Sequence, residues 1–570
     1  MPTLQDKAVT YLSKHAEEIL SKQNEKGEFW PDAGFRAPYN TDYQQFAYYA
    51  LAYLFTLDHP NNAWKGNPRL LDAVVRSVRN NLSIEDASGG FLASSHDQAP
   101  SSHANNWRSF SFLKTWELVR DRIDKKLAAD CEDGLRRALK SVYERAQVET
   151  SQERHCRNHN VRNHPSWYLL ATFVLARHFK DEKIESWAAA GMERICACQH
   201  PAGIWFEHNG PVTVYQHVTM SALSHYHTLT QSPAARVALD KSLGFYRIFT
   251  YPSGYPVETL DGRVRYTGYV MSIHPATWSH SPEGRSFLHF ILDRLNEQPL
   301  GPGYQTHGGW LGLPFFTQFA RDLPQKESSE ALPKPLVGDG VHEITAMPVR
   351  QIRRGPWVVT LSAFTRPEAP KNRWELDYQA HVSIYHERAG LIVGGGGGKR
   401  QAALSLFSGG NLPLGLPCLA TGGSAETTGE SSARIHLDYP SFKATLDADV
   451  RGDDVQLTAR VEPAIGGASP NVYLQLPFPM KGDGNIVTAK GHEYGLDIQD
   501  EITPEELGTW IGRQKKFNLS GFAGARALLH LLPYNTHWRD GRAPAEKAMA
   551  VVAQPLSYGE PFRVIVTSES

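Results

Sequence analysis

Three stretches of this 570-residue chain gather Asn, His, Tyr and Arg at a density that helix packing alone does not require. The first, ERHCRNHNVRNHPSW, places His155, Asn158, His159, Asn160, Arg162, Asn163, His164 and Trp167 at the entry to a strongly apolar run. Capping a helix start takes one side chain, so Asn163 or His164 alone reads as a cap, while the remaining amides and imidazoles need another partner. The second, PAGIWFEHNGPVTVYQHVTMSALSHYH, sets Trp205, Phe206, Glu207 and His208 in a Gly-containing loop. The helix after it carries Tyr215, Gln216 and His217 in its first turns, with His225 and Tyr226 further along. The neutral imidazole of His217 suits a general base, and a hydrogen-bonded core histidine is the alternative. The third, GYPVETLDGRVRYTGYVMSIHPATW, forms a turn at Asp261 and Gly262 followed by Arg263, Arg265, Tyr266 and Tyr269. A guanidinium grips a carboxylate in a forked geometry, and a phenol near a cation gives or takes a proton. A connecting turn with an aromatic anchor is the other reading.

Together these groups match one reaction. Taking the proton α to a uronate carboxylate builds negative charge on that carboxylate, which must be met by aimed donors. A base removes the proton and an acid protonates the departing glycosidic oxygen. Asn163, His164 and Arg263 or Arg265 would neutralise, His217 would be the base, and Tyr266 or Tyr269 the acid. Sugar contact is expected from aromatic faces, namely Trp107 after Asn105 and Asn106, Trp205, and Trp310 after His307. Asn106, Asn160, Tyr215, Glu207 and His208 are the polar neighbours expected to bind hydroxyls. As buried anchors these tryptophans would look the same in sequence. The rival chemistry, glycoside hydrolysis, needs two opposed carboxyl groups, for which Asp42, Glu207, Glu258 and Asp261 are available. Only Glu207 and Asp261 fall among the polar segments, so elimination is favoured. A non-catalytic carbohydrate-binding protein is the remaining alternative.

These residues sit on two kinds of element. From residue 5 to about 300 the apolar positions recur with helical spacing, as in LLDAVVRSVRNNL and HPSWYLLATFVLARHF, and nine to eleven helices are expected with no strand. Thr41 and Asp42 suit the cap of the second helix, and Asn67 with Pro68 opens the third. Short turns alternate with longer loops, which is the pattern of helical hairpins arranged around a ring. After the Pro-containing connector DLPQKESSEALPKPLVGDG the period changes to two, in HEITAMPVRQIRR, WVVTLSAF, HVSIYHERAGLIVG and later segments. The fold class is therefore α+β multidomain: an incomplete (α/α) toroid over residues 1–325 followed by an antiparallel β-sandwich over 340–570. The Gly394–Gly398 run lacks the following helix and Lys of a phosphate-cradling loop and reads as a tight sheet connection.

Bulk properties exclude several classes. The 59 Lys and Arg nearly balance 60 Asp and Glu with no run of one sign, so neither nucleic acid nor an anionic membrane is an expected partner. No apolar run reaches transmembrane length, and the first twenty residues lack the pattern of a secretory signal, so a cytoplasmic protein is expected as written; a processed start would make it periplasmic or secreted. Cys131, Cys156, Cys196, Cys198 and Cys418 show no CxxC spacing, which points to reduced thiols, with Cys196 and Cys198 the only close pair in sequence. No cofactor is required by this chemistry. A structural divalent metal is left open by His and Asp positions in the second half, without a recognisable ligand spacing.

Over roughly residues 150–270, NHPSW, then WFEHNGPVTVYQHVTMSAL, then GRVRYTGY resembles the toroidal polysaccharide lyases, especially the alginate-lyase type. The resemblance implies that Asn163 and His164 are the neutralising pair, His217 the base, and Arg263 or Arg265 with Tyr266 or Tyr269 the last part of the site. The large β-half departs from the alginate-lyase pattern and is similar instead to the plan of the chondroitin, hyaluronate, xanthan and heparinase II/III-like lyases. The implied substrate is an acidic polysaccharide or oligosaccharide whose uronic acid stays open.

Overall fold

The computed structural model describes residues 2–29, 45–91, 105–152, 155–207, 210–261, 270–271, 273–298, 312–365, 379–394, 401–410, 419–464, 471–480, 484–495, 500–532 and 548–569. The chain divides into two compact units. One comprises Met1–Glu207, Val214–Gly244 and Tyr269–Pro335, the other His208–Thr213, Phe245–Gly268 and Leu336–Ser570.

The first unit is built of helices: α1 (Leu4–Ser21), α2 (Tyr48–Thr56), α3 (Pro68–Ser83), α4 (Asn105–Val119), α5 (Lys125–Ser151), α6 (Asn163–Phe179), α7 (Glu182–Ala197), α8 (Thr213–Thr230), α9 (Pro233–Ile248), α10 (Pro282–Asn296) and α11 (Leu313–Asp322). Their starts follow the local chemistry. Thr3 and Asp6 form a reciprocal capping box on α1, and Asn67 accepts from the Arg69 amide ahead of Pro68, as expected. Asp124, Asp181 and Ser281 cap α5, α7 and α10. Thr41 and Asp42 lie outside the described residues, and α2 is seen from Tyr48, after a 3-10 turn at Gln45–Ala47.

Two layers are visible in what each helix buries. α3 and α7 bury one stripe, Leu70, Ala73, Val74, Ser77 and Val78 in the first and Ala188, Gly191, Met192 and Ile195 in the second. α4 is buried at every position from Asn105 to Trp116, and α6 at every position from Pro165 to Ala176. A helix buried around its whole circumference has neighbours on all sides, so α4 and α6 form the inner layer and the striped helices the outer one.

Successive hairpins are tied at nearly constant sequence distance. The Gln23 amide donates to Ala73 O 50 residues on, and Arg137 pairs with Glu85 52 residues back. The Trp167 indole reaches Val218 O 51 residues on, and Ser224 and Thr277 share a hydrogen bond across 53. This period went unnoticed in the sequence because the ties use different residue types each time. The array also closes on itself: Lys7 pairs with Asp293 at 2.6 Å and the Asn296 amide reaches Lys7 O, which packs α1 against α10. The result is the α/α toroid.

In the second unit the described strands are antiparallel. Gly340–Glu343, Val349–Arg354, Trp357–Phe364, Gln379–His386 and Gly390–Val393 form a five-stranded meander. A nine-stranded sheet runs Glu493–Tyr494, Ile486–Thr488, Trp510–Arg513, Phe517–Ser520, Phe562–Ser568, Asp454–Pro463, Phe442–Arg451, Ser432–Asp438 and Gly422–Gly429. A third sheet orders Glu501–Ile502, Arg526–Leu531, Met549–Leu556, Val472–Pro479 and Phe407–Gly409. Trp357, Leu361, Leu446, Leu457, Phe478 and Val552 belong to one shared core, as a sandwich requires. Phe442–Arg451 and Asp454–Pro463 alternate as expected, whereas Trp357–Phe364 is buried on both faces up to Ala363. HEITAMPVRQIRR is two strands, split where Ala346 turns to φ 62. Tyr385 and His386 end a strand and are 5% and 2% exposed. Beyond Gly394 the glycine run lies outside the described residues. No described helix is long and apolar enough to cross a membrane.

The turn after α7 shows how tightly the hairpins dock. Gly203 has φ +85, and a Cβ there would run into the backbone carbonyl of Lys241. At Gly66, with φ +69, the same atom would meet nothing within 4 Å. Gly66→Ala is therefore expected to cost only about 1 kcal/mol from the left-handed backbone. Gly203→Ala should cost more, roughly 2–4 kcal/mol, because the turn must also lift off α9. Urea unfolding of the two variants side by side checks the difference.

Candidate active site

Asn106, Asn163, His164, Tyr215, Gln216 and His217 lie at the starts of three neighbouring helices of the toroid. Asn106 in the first turn of α4 donates to His164 O in the first turn of α6 at 3.3 Å. The Trp107 and His164 rings stand 4.5 Å apart. One turn deeper the Trp167 indole N–H donates to Val218 O at 2.7 Å, which sets α6 beside the first turns of α8 and so beside Tyr215, Gln216 and His217. Phe110 packs edge-on against Trp167 at 5.1 Å and His225 at 5.4 Å, closing the α4–α6–α8 triangle from within.

The loop leading into α6 is pinned before it arrives. Asn160 bridges Phe206, with Val161 N donating to Phe206 O and Phe206 N to His159 O, both at 2.8 Å. That pairing places Glu207, 5% exposed, next to the α6 entry. Arg162 turns away and bonds Glu149 and Gln152, so it is a strut of the loop. His159 is likewise claimed, its Nδ1 bonding Cys198 O at 3.1 Å.

The start of α6 favours an anion through its backbone. No side chain caps α6 at Arg162, so the amides of its first turn, with the positive end of the helix dipole, face outward from Asn163 and His164. Asn163 is 2% exposed, and its Oδ1 has no hydrogen-bond partner among the described residues. Gln216, also 2% exposed, has neither amide atom bonded among the described residues. An unmet buried amide costs about 1–3 kcal/mol, so these side chains hold bonding capacity that a ligand can use. His217 is 1% exposed, while His164 and Tyr215 keep part of their surface open.

A residue that the sequence reading missed stands against the expected base. His274, in the segment before α10, packs its ring 4.6 Å from His217 at an interplanar angle of 78°. Burial holds its pKa down to about 4, and its Nε2 bonds Met271 O at 2.7 Å. It is therefore a neutral ring of fixed orientation beside His217. It lies in the third polar segment, but nothing in the pattern SIHPATW distinguishes it from an ordinary core histidine.

Other expected residues divide differently. Trp205 is fully buried with its indole N–H on Ile195 O, so it is an anchor and offers no face to a sugar. Trp107 is 4% exposed. His225 belongs to a core chain in which it bonds Asp322 at 2.8 Å, Gln318 bonds Asp322, and Tyr49 bonds Gln318. Tyr226 donates to Glu193. Of the carboxylates weighed for hydrolysis, Asp261 accepts from Thr213 and Glu258 from Tyr251, both at 2.9 Å, as buried structural partners. His208, Arg263, Arg265, Tyr266, Tyr269, Trp310 and Asp42 lie outside the described residues. Among the described residues no group of three or more His, Cys, Asp or Glu is arranged to hold a metal ion.

The neutral state of His274 has a measurable consequence. Unfolded, the ring takes a proton near pH 6.5; folded, it refuses one until about pH 4. Stability is thus fully present above pH 6.5 and falls as the pH drops toward 4, at about 1.4 kcal/mol per pH unit for one such group. His274→Phe should flatten the pH dependence of unfolding in that window by on the order of 3 kcal/mol across its width. Denaturant unfolding at pH 7.0 and about pH 4.5 for both proteins reads this directly.

No family model and no curated protein matches this sequence. Solved structures do. The Streptomyces coelicolor A3 chondroitin AC lyase, determined in complex with chondroitin sulphate, is 13% identical and matches over 99% of this chain and 79% of its own, with a TM-score of 0.53. A chondroitinase AC lyase determined in oligosaccharide complexes is 12% identical over 99% of this chain and 82% of its own, with a TM-score of 0.51. A GH127 β-L-arabinofuranosidase from Geobacillus stearothermophilus T6 matches at 10% identity and a TM-score of 0.34, too low to carry an argument. The chain therefore has the fold of the chondroitin AC lyases, a helical toroid followed by antiparallel sheets packed as a sandwich.

Proposed function

We propose that this protein is a polysaccharide lyase that cleaves a uronic-acid-containing polysaccharide or oligosaccharide by β-elimination, with residues 1–325 carrying the chemistry. The observation that supports this reading is the hydrogen bonding of three helix starts to one another, Asn106 to His164 O and the Trp167 indole to Val218 O, with buried amide capacity unmet at Asn163 among the described residues. The Nδ2–H group of Asn163, the His164 ring and the first-turn amides of α6 would donate to the uronate carboxylate and stabilise the charge that develops there, leaving Asn163 Oδ1 to accept from a sugar hydroxyl. His217 would take the α-proton, kept in orientation by the neutral His274 ring. Arg263 or Arg265 would add a further cation against the carboxylate, and Tyr266 or Tyr269 would protonate the leaving oxygen. The shared fold with enzymes named for chondroitin supports a glycan substrate, and the donor set supports an acidic one. Asn160, Tyr215 and Glu207 are the hydroxyl contacts in this scheme.

Incubation with a panel of uronate polysaccharides should produce ultraviolet absorbance from the conjugated uronate that elimination leaves. His217→Ala is expected to lower kcat by about 10²–10⁴-fold and Asn163→Ala by about 10²–10³-fold. Both should keep the thermal midpoint within a few degrees of wild type. Depolymerisation without absorbance would replace elimination by hydrolysis, and an unchanged saccharide on prolonged incubation would leave only binding.

A further inference from the structure

The closest pair of cysteines in sequence, Cys196 and Cys198, is not the pair that meets in space. Cys198, at the C-cap of α7, donates through Sγ to Cys156 O at 3.5 Å across 42 residues of chain. Cys156 in turn directs its Sγ at Arg194 O, at 4.0 Å in the last turn of α7. Both are half-buried and so open to a small thiol reagent, whereas Cys131 and Cys196 are buried.

Cys156 begins an unusual piece of backbone. Cys156, Asn158 and His159 have φ of 61°, 50° and 62°, left-handed values that side chains other than Gly rarely hold. The conformation persists because its surroundings fix it: Cys156 N donates to Asn160 O, His159 bonds Cys198 O, and Asn160 bridges Phe206. Two of these three ties end within the loop or on Cys198 itself. The same segment delivers Asn160, Asn163 and His164 to the site.

We propose that Cys156 and Cys198 form a reversible disulfide that locks the α6 entry loop onto α7 and thereby tunes the site that the loop feeds. The two sulfurs differ in the way such exchange needs. Donation from Cys156 favours the thiolate at Cys198 and pushes the Cys156 thiol up, so Cys198 is the attacking sulfur. With glutathione disulfide as oxidant, the Cys198 thiolate attacks one of its sulfurs, forming a mixed disulfide and expelling one glutathione thiolate. Cys156, losing its proton, attacks the Cys198 sulfur and expels the second glutathione. Two protein thiols become one disulfide, and the two electrons and two protons leave on two glutathiones. The covalent tie replaces the S–H donation to Cys156 O and holds the left-handed turn without it. The kinetic consequence rests on the lyase reading above; the bond itself does not.

The full chain is equilibrated in glutathione buffers from fully reducing to fully oxidising, quenched with iodoacetamide and mapped by peptide mass. The expected result is one linked pair of peptides carrying Cys156 and Cys198, two hydrogens lighter than the free thiols. The wild-type thermal midpoint should rise on oxidation, with no shift in Cys198→Ser or Cys156→Ser. For the polysaccharide that yields absorbance, KM should fall several-fold on oxidation while kcat stays within two-fold. Separate alkylation of Cys156 and Cys198 in the most oxidising buffer, or linkage through another cysteine, overturns the proposal even if elimination is observed. Linkage with identical KM in both redox states overturns the tuning of the site. Linkage and a thermal shift in a protein that eliminates nothing would uphold the disulfide and bring down the lyase reading alone.

Discussion

Helical hairpins of this protein are tied to their neighbours by polar bonds about 50 residues apart, and the described helix starts that carry candidate site residues are levelled by ties of this kind. The Gln23 amide on Ala73 O, Arg137 on Glu85, the Trp167 indole on Val218 O and Ser224 with Thr277 repeat one relation around the toroid. Three of the four are buried or half-buried bonds, two of them to main-chain carbonyls, which fixes one helix along the axis of its neighbour as well as beside it. A shift of one residue would carry a helix about 1.5 Å along its axis and break the bond. Helix starts are therefore held level, and side chains from residues 106, 163 and 217 share one end of the bundle although the chain separates them by more than fifty residues each time.

That levelled rim explains a local conflict with good packing. Among the described residues, Asn163 Oδ1 and both amide atoms of Gln216 are buried without a partner, and α6 begins with no capping side chain. A stability-driven sequence would place Ser or Asp before α6, as it does before α7 and α10. These unmet amides stand close to a hydrogen-bonded core chain, Tyr49–Gln318–Asp322–His225, and leave bonding capacity at the rim at some expense to the fold.

Much of this was legible in the sequence. The change of period after residue 325, the Asn67–Pro68 helix start and the polar helix entries at 163 and 217 each come from local rules of capping and periodicity. What was not legible depends on distance in space. Nothing local marks His274 as the neighbour of His217, or Cys156 as the partner of Cys198 in place of Cys196. Trp205 and Trp107 show the same limit, since an aromatic side chain reads alike whether it faces sugar or core. The hairpin period escaped because Gln, Arg, Trp and Ser perform the same task in turn, so the repeat exists in contacts and not in letters. Trp357–Phe364 hid its burial on both faces because Thr360 and Ser362 look solvent-facing, although Thr360 is paired with Gln351 across the sheet.

The closure of α1 against α10 sets the order in which the molecule can be completed during its synthesis. Lys7 and Asp293 are separated by nearly three hundred residues, so the apolar stripe of α1, with Leu4, Ala8, Leu12 and Ile19, must wait for most of the helical chain to leave the ribosome. At about 5–20 residues per second that delay is roughly 15–60 s. During it the nascent chain holds α1 only against the α2–α3 hairpin, through Trp64 on Ser13 O and Arg69 on Glu17, and the face that later meets α10 stays uncovered. A holding chaperone would be suited to shield that stretch until the last hairpin emerges.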